Sequence, residues 1–330
     1  MSGLPEVFVR EPMPQEGLQV FEGKATWRVG PPGGPADDEE FVRLLGEAEG
    51  CMLVGNVMSG RVIRQAPRLR VISRIGVGYD GVDLGAATAC GIIVCNAPEA
   101  PTQATADLTF GLILAAARRI PQAHNYTLSG EWARARRPFP LASEVHGRTL
   151  GIIGFGRIGQ AVARRAVGFG MPILYHDLEA KPEAEAATGA KRVDLEVLLR
   201  EADFISLHVP LTAQTRGLIG AREIAKMKAS AIVVNASRGP VVDQKALCEA
   251  LREKRIAAAG LDVYEEEPLP ADDPLIGLDN VVLVPHIASA TYETRVLMAK
   301  EAAENILAVL IEGRPRNVVN PEVLSRLRAV

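Results

Sequence analysis

Three residues in the second half of the chain carry side chains that could act together on a small anion. These are Arg238 in Asn235-Ala236-Ser237-Arg238-Gly239, Glu267 in Glu265-Glu266-Glu267-Pro268, and His286 in Pro285-His286-Ile287. A guanidinium holds an anionic group, a carboxylate partners an imidazole, and the imidazole carries a proton near neutral pH. Each segment follows an apolar run of strand type: Ala231 to Val234, Ile256 to Leu261 and Val281 to Val284. All three residues are therefore expected at the carboxyl ends of parallel strands, where open α/β sheets receive their ligands. Taken singly, each has a plainer explanation: a strand-end histidine, a member of a solvated acidic turn, or a surface ion-pair partner.

The elements that must position them form two alternations. From Glu6 to Cys95, β-branched runs at Val7 to Val9, Met52 to Val54, Val71 to Ile75 and Ile92 to Cys95 alternate with amphipathic stretches such as Asp37 to Ala48. That pattern belongs to a parallel sheet flanked by helices. Gly30 to Pro35 is dense in breakers and reads as a surface turn. Pro101 to Ile120 is predicted as one long helix, with Asp107 and the Arg118-Arg119 pair at the ends its dipole prefers, and Pro121 to Gly147 as an irregular stretch. A second alternation opens at Thr149 to Ile153 and continues through a helix at Arg157 to Phe169 and strands at Ile173 to Tyr175 and Phe204 to Leu207. The three runs that precede the chemical residues complete it, with a helix at Gln244 to Lys254, and Tyr292 to Glu312 is a final helix.

The chain has 330 residues, 48% of them hydrophobic, and a formal net charge of −3, which favours two α/β domains and gives no electrostatic reason to expect a nucleic acid or an anionic membrane surface. The basic cluster of Arg134, Arg136 and Arg137 is local and reads as a solvated or interface patch. The amino terminus does not read as a secretory signal, and no run reaches the roughly 20 apolar residues of a membrane helix. Cys51, Cys90, Cys95 and Cys248 have no CxxC spacing, so buried thiols are expected rather than disulfides or zinc ligands. A cytoplasmic, metal-free protein is the expectation.

Gly154-Phe155-Gly156-Arg157-Ile158-Gly159 follows an apolar run and opens a helix. In that context the first glycine makes the tight turn, the second admits a pyrophosphate to the backbone, and the third lets helix and strand pack closely. Asp177 ends the next strand, near the roughly 20-residue offset at which an acidic group meets ribose hydroxyls. A carboxylate there favours NAD over NADP, although a strand-end aspartate also caps turns.

With this fingerprint mid-chain, followed by Asn235 to Gly239, Gly260-Leu261-Asp262-Val263, Glu267-Pro268 and Pro285-His286-Ile287-Ala288-Ser289, the sequence closely resembles the D-2-hydroxyacid dehydrogenases from about Val71 to Asn320. Ser289-Ala290-Thr291 and Glu293-Thr294-Arg295 look most like the glyoxylate and hydroxypyruvate reductase branch. The resemblance implies a Rossmann nucleotide domain at 98–286, inserted into a flavodoxin-like substrate domain made of 1–97 and 287–330. It makes Arg238 the substrate-binding arginine, Glu267 the carboxylate partner and His286 the acid/base, and gives Val77 and Gly78 backbone amides that bind the substrate carboxylate. Thr105, His208-Val209-Pro210, Ala236, Ser237, Asp262 and His286 join Gly154, Gly156, Arg157, Ile158, Gly159 and Asp177 around the cofactor. NADH is the expected cofactor, used in preference to NADPH, and a small 2-keto or 2-hydroxy acid the expected substrate.

The residue types suit that chemistry independently. The fork of Arg238 matches a 2-keto acid's carboxylate, and an imidazolium supplies a proton as negative charge develops on the carbonyl oxygen. Within the same family, 3-phosphoglycerate dehydrogenase is disfavoured because Gly55-Asn56-Val57-Met58 stands where those enzymes often carry an arginine, and formate dehydrogenase because its branch has glutamine in place of Glu267. The resemblance extends to NADH-responsive C-terminal-binding-protein corepressors, a non-enzyme alternative that the short chain ends disfavour. The Ala-rich helix from Thr105 to Ala117 and the segment around Trp132 resemble the family's dimerisation region and imply a homodimer.

Overall fold

The structure, a computed structural model, describes residues 3–55, 57–134 and 138–326. Asn56, Arg136 and Arg137, considered above, lie outside the described residues. The chain forms two compact units, Met1–Pro101 with Ser289–Val330, and Thr102–Ala288.

The first unit is built on five parallel strands: β1 (Glu6–Val9), β2 (Thr26–Val29), β3 (Gly50–Leu53), β4 (Val71–Arg74) and β5 (Ile93–Cys95). Their order, β2-β1-β3-β4-β5, is that of flavodoxin-like sheets. Every residue of β3, β4 and β5 is buried, which is why these strands read as continuous apolar runs: helices cover both faces of a parallel sheet. The helix Tyr292–Leu310 belongs here despite its distance in sequence, and packs Met298, Ala302, Ala303 and Ile306 against Val7, Val9, Met52 and Val71. After it, the fully buried Asn320 accepts from the Val94 amide at 2.8 Å and donates to Ile92 O at 3.0 Å, tying the chain's last segment to the β5 edge.

The second unit holds seven parallel strands: β6 (Leu150–Ile153), β7 (Ile173–His176), β8 (Lys191–Arg192), β9 (Phe204–Leu207), β10 (Ile232–Asn235), β11 (Ala258–Leu261) and β12 (Val281–Leu283). The order β12-β11-β10-β9-β6-β7-β8 winds one way from β6 to β8 and the other way from β9 onward, the doubly wound Rossmann arrangement. One face is covered by the helices Thr102–Arg118 and Arg157–Gly168, the other by Leu195–Glu201 and Gln244–Arg252.

Two edge strands lie outside the apolar runs read above, and two local expectations need correction. The edge strands β2 and β8 were not legible, because neither has a buried residue to give it an apolar run. The helix expected over Pro101 to Ile120 stops at Arg118. Arg119 takes the left-handed conformation (φ 53°), and a separate helix, Ile120–Leu128, begins with Pro121 in its first turn, where the missing N–H costs no intrahelical bond. The stretch from Pro121 to Gly147 is consequently not wholly irregular, since Glu131–Arg134 adds a further helical turn. Among the described residues no helix is long and apolar enough to cross a membrane.

Candidate active site

Parallel pairing of β10, β11 and β12 places their carboxyl ends side by side, and the chain after each end is braced by its own polar groups. After β10, the Asn235 side chain accepts from the Ser237 amide at 3.0 Å and the Ser237 hydroxyl at 2.9 Å, and donates to Arg238 O at 2.9 Å. This closes the turn that presents Arg238, whose Nη1 donates to Ser237 O at 2.6 Å. The next residue must be glycine: a Cβ on Gly239 would lie 1.8 Å from Tyr264 O. Through that contact the Arg238 turn rests on the loop that carries Glu267.

Glu267 reaches both ways. Its Oε1 accepts from the Tyr264 amide at 3.0 Å, and its Oε2 lies 2.6 Å from Nδ1 of His286. Burial pushes the Glu267 pKa upward, but the His286 hydrogen bond and charge, the Tyr264 amide and the Arg238 charge outweigh it. The carboxyl is held below its ordinary value. An ionised Glu267 accepts the Nδ1 proton and fixes the ring, which leaves Nε2 as the nitrogen able to exchange a proton with a substrate.

His286 itself sits at φ 52°, and its amide donates to Asp262 O at 2.9 Å. Asp262 is fully buried at the end of β11, and its carboxylate accepts from the amides of Ile287 at 2.6 Å and Ala288 at 3.0 Å. Burial raises the Asp262 pKa, against the opposing pull of those amides and the His286 charge. The Tyr264 hydroxyl donates to Leu261 O and Val284 O, and burial pushes it up to about 12, so it serves as a strut between β11 and β12. Sequence reasoning missed Asn235 and Tyr264 as positioning groups. An asparagine two residues before a serine at a strand end is a turn signal that could have marked Asn235, whereas nothing local marks Tyr264.

The dinucleotide fingerprint has the geometry its glycines require. Gly154 takes φ 91°, and a Cβ there would lie 2.7 Å from the His208 carbonyl carbon; a Cβ on Gly159 would lie 2.2 Å from Gly154 O. Gly156, which caps the helix Arg157–Gly168, has no atom near its missing side chain. That open approach at a helix N-terminus, with Arg157 and Ile158 in the first turn, fits the pyrophosphate of a dinucleotide. Asp177 accepts from the Phe155 amide at 2.6 Å and the Glu179 amide at 3.3 Å, bracing the glycine turn from β7. Arg192 donates to Asp177 O and Leu178 O beside it.

His208 follows β9 and pairs through Nε2 with Ser206 Oγ at 2.7 Å; desolvation pushes its pKa down to about 3. Its imidazole is neutral near pH 7 and is no rival to His286 as an acid. His208, Val209 and Pro210, with Ala236, Ser237 and Asp262, therefore lie at the carboxyl ends of β9, β10 and β11, while Thr105 is buried in the helix Thr102–Arg118. Val77 and Gly78 belong to the first unit, in the loop after β4.

Residues 110–288 match the family model of the D-isomer specific 2-hydroxyacid dehydrogenase, NAD binding domain. The chain is 47% identical over 322 residues to a glyoxylate reductase of Korarchaeum cryptofilum, covering 97% of each chain. It is 43% identical over 320 residues to a glyoxylate/hydroxypyruvate reductase B of Escherichia coli, covering 97% of this chain and 99% of the relative. Among solved structures it resembles an NADPH-dependent glyoxylate/hydroxypyruvate reductase of Sinorhizobium meliloti in complex with NADP and malonate. That match has a TM-score of 0.87 and 32% identity, and covers 99% of this chain and 100% of the other.

The lowered pKa of Glu267 has a consequence for stability. A carboxyl ionised more readily in the folded chain than in the unfolded one stabilises the fold above its unfolded value of 4.5, and that contribution is lost as pH falls through the folded value. Glu267→Gln is expected to be less stable than the parent at pH 7, with the gap closing below pH 4.5. Urea denaturation at several pH values measures this, and a gap unchanged down to pH 3 contradicts the pairing.

Proposed function

The chain belongs to the D-isomer specific 2-hydroxyacid dehydrogenase family, and on that premise we propose that it reduces glyoxylate or hydroxypyruvate to the corresponding 2-hydroxy acid, with NADH as the preferred reductant. The observation that carries the reading is the 2.6 Å contact between His286 Nδ1 and Glu267 Oε2. It fixes one ring nitrogen and leaves the other for proton transfer, beside a loop that carries a guanidinium.

In this reading a bound nicotinamide cofactor supplies the hydride. The residues Gly154 to Gly159 would receive its pyrophosphate and Asp177 its ribose, and Thr105, His208, Val209, Pro210, Ala236, Ser237 and Asp262 would hold its nicotinamide half. Arg238 holds the substrate and draws electron density toward its carbonyl oxygen. In the first unit, taken by itself, the amides of Val77 and Gly78 are donors for a substrate carboxylate. His286 donates its Nε2 proton as charge develops on that oxygen. Glu267 accepts the Nδ1 hydrogen bond and holds the ring in place while the proton leaves. In the oxidative direction His286 starts neutral and accepts the proton, so reduction is favoured at lower pH than oxidation.

The preference for NADH rests on the Asp177 carboxylate, which would repel a 2′-phosphate. Arg192, against the Asp177 and Leu178 carbonyls, and Lys181, whose charge couples to Asp177, are nearby features that would tolerate such a phosphate. The homodimer rests on exposed apolar side chains along the segment after Arg118: Leu128, Trp132 and Leu141 are 72, 71 and 98% exposed. These side chains lie in and beyond the segment around Trp132, which resembles the family's dimerisation region.

Three measurements test the proposal. Steady-state reduction of glyoxylate, hydroxypyruvate, pyruvate and 3-phosphohydroxypyruvate with NADH and NADPH is expected to give the highest kcat/KM for one of the first two with NADH. Absence of turnover on all four by folded protein rejects the activity, and a preference for NADPH rejects the role of Asp177. His286→Ala should lower kcat by at least about 100-fold and leave NADH affinity within about threefold; a large loss of NADH affinity contradicts an acid/base role. Light scattering at micromolar concentration is expected to give twice the chain mass, and a monomer rejects the dimer.

A further inference from the structure

The loop after β4 is held in an unusual way. Three consecutive carbonyls are bound from behind: Gly76 O accepts from the Ala97 amide at 2.9 Å, Val77 O from Asn96 Nδ2 at 2.8 Å, and Gly78 O from Arg74 Nε at 2.8 Å. The peptide bonds here are trans and planar, so each N–H points opposite to the carbonyl of its own peptide group. Turning the carbonyls of 76, 77 and 78 toward these donors turns the amides of Val77, Gly78 and Tyr79 the other way. Among the described residues none of those three amides donates to a protein acceptor. The result is three successive backbone N–H groups left available to an anion. Gly76, at φ 126°, supplies a backbone conformation that side-chain-bearing residues rarely adopt.

The donors are themselves buried and braced. Asn96 is 8% exposed, and its own carbonyl accepts from Nδ2 of the buried Asn305 at 2.8 Å. Asn305 Oδ1 in turn accepts from Asn317 Nδ2 at 3.2 Å, and the Asn96 amide donates to Asn317 O at 3.2 Å. Arg74 is 5% exposed and also donates to Leu53 O at 3.0 Å and to Gly55 O, so it joins the loop to the end of β3. Each link lies within the first unit. We propose that Asn96, with Arg74, is a positioning residue for the substrate carboxylate: it touches no reacting atom but sets the direction in which the Val77, Gly78 and Tyr79 amides point. This rests on the assignment of Val77 and Gly78 to the substrate carboxylate.

Asn96→Asp tests it at constant size. Ionised, the new carboxylate has no proton for Val77 O and repels it; protonated, it offers an O–H and restores the bond. Charged groups near this network include Arg74 on β4, Asp80 directly after the loop, Glu99, and Glu301, which accepts from Asn317 Nδ2 and the Ala100 amide and has Glu99 and Glu304 as charged neighbours; all are present in the parent, so a variant-to-parent ratio removes their titration. At pH 8 the variant is expected to raise the KM for glyoxylate and weaken malonate binding to the NADH complex by at least about tenfold, with kcat and NADH affinity changed by less than about threefold. The KM ratio to the parent should fall toward one as pH is lowered to 5.

A ratio that stays flat with pH, or a KM that does not rise, overturns the positioning role. Gly78→Pro, which deletes one amide outright, separates the two ideas. If it raises KM while Asn96→Asp does not, the amides bind substrate without help from Asn96; if neither raises KM, the loop's assignment falls as well. The pH return is read within a single folded variant, so it decides the matter even where Gly78→Pro fails to fold.

Discussion

A carboxylate sealed from water at the end of β11 organises the chemical end of the second unit. Burying an ionisable group is costly unless its hydrogen bonds are supplied, and Asp262 obtains them from the two amides that follow His286. Its backbone does the rest: its N–H donates to Asn235 O and its carbonyl accepts from the His286 amide. One residue thereby couples the ends of β10 and β11 to the loop after β12. The left-handed backbone of His286 is the local cost of this arrangement, and the Asp262 contacts hold it there.

The two carboxylates of this region have opposite fates because their surroundings differ. At Asp262 burial outweighs the Ile287 and Ala288 amides and the His286 charge, with the Glu267 charge acting on the side of burial, so its proton affinity rises. Glu267 shares its neighbourhood with the His286 ring and the Arg238 charge, and its proton affinity falls. A pair of acids held apart in this way divides the labour: one braces the backbone, the other carries the charge that an imidazolium needs. In the first unit, neutral amides and the buried Arg74 do the bracing, and the groups turned outward are N–H donors. Backbone held rigid by buried polar contacts is common to both loops, and preorganised groups of this kind lose little entropy when a small anion binds.

Much of the fold was legible because helices cover both faces of a parallel sheet. Such strands are buried at every position and mostly apolar, so β3, β6, β9 and β10 stand out as short runs. The failures share the converse reason. β2 and β8 lie at sheet edges, contain no fully buried residue, and carry Arg28, Lys191 and Arg192, so pairing with a neighbour is what makes them strands. The break at Arg119 was hidden because alanine and leucine continue the helical pattern up to it, and a proline at 121 is compatible with either a loop or a new first turn.

The sequence by itself determined which chemical groups are present, the spacing of the glycine turn, and the family, since these are properties of residues close together in the chain. It could not determine which of three adjacent glutamates meets the histidine except by resemblance. In the folded chain Glu265 accepts from the Gln244 amide and caps a neighbouring helix, while Glu267 turns to Tyr264 and His286. Only tertiary structure made that choice. Strand register and the contact of Gly239 with the Tyr264 carbonyl set which way each side chain leaves its loop, and both join residues 22 to 26 positions apart whose local sequences carry no record of one another.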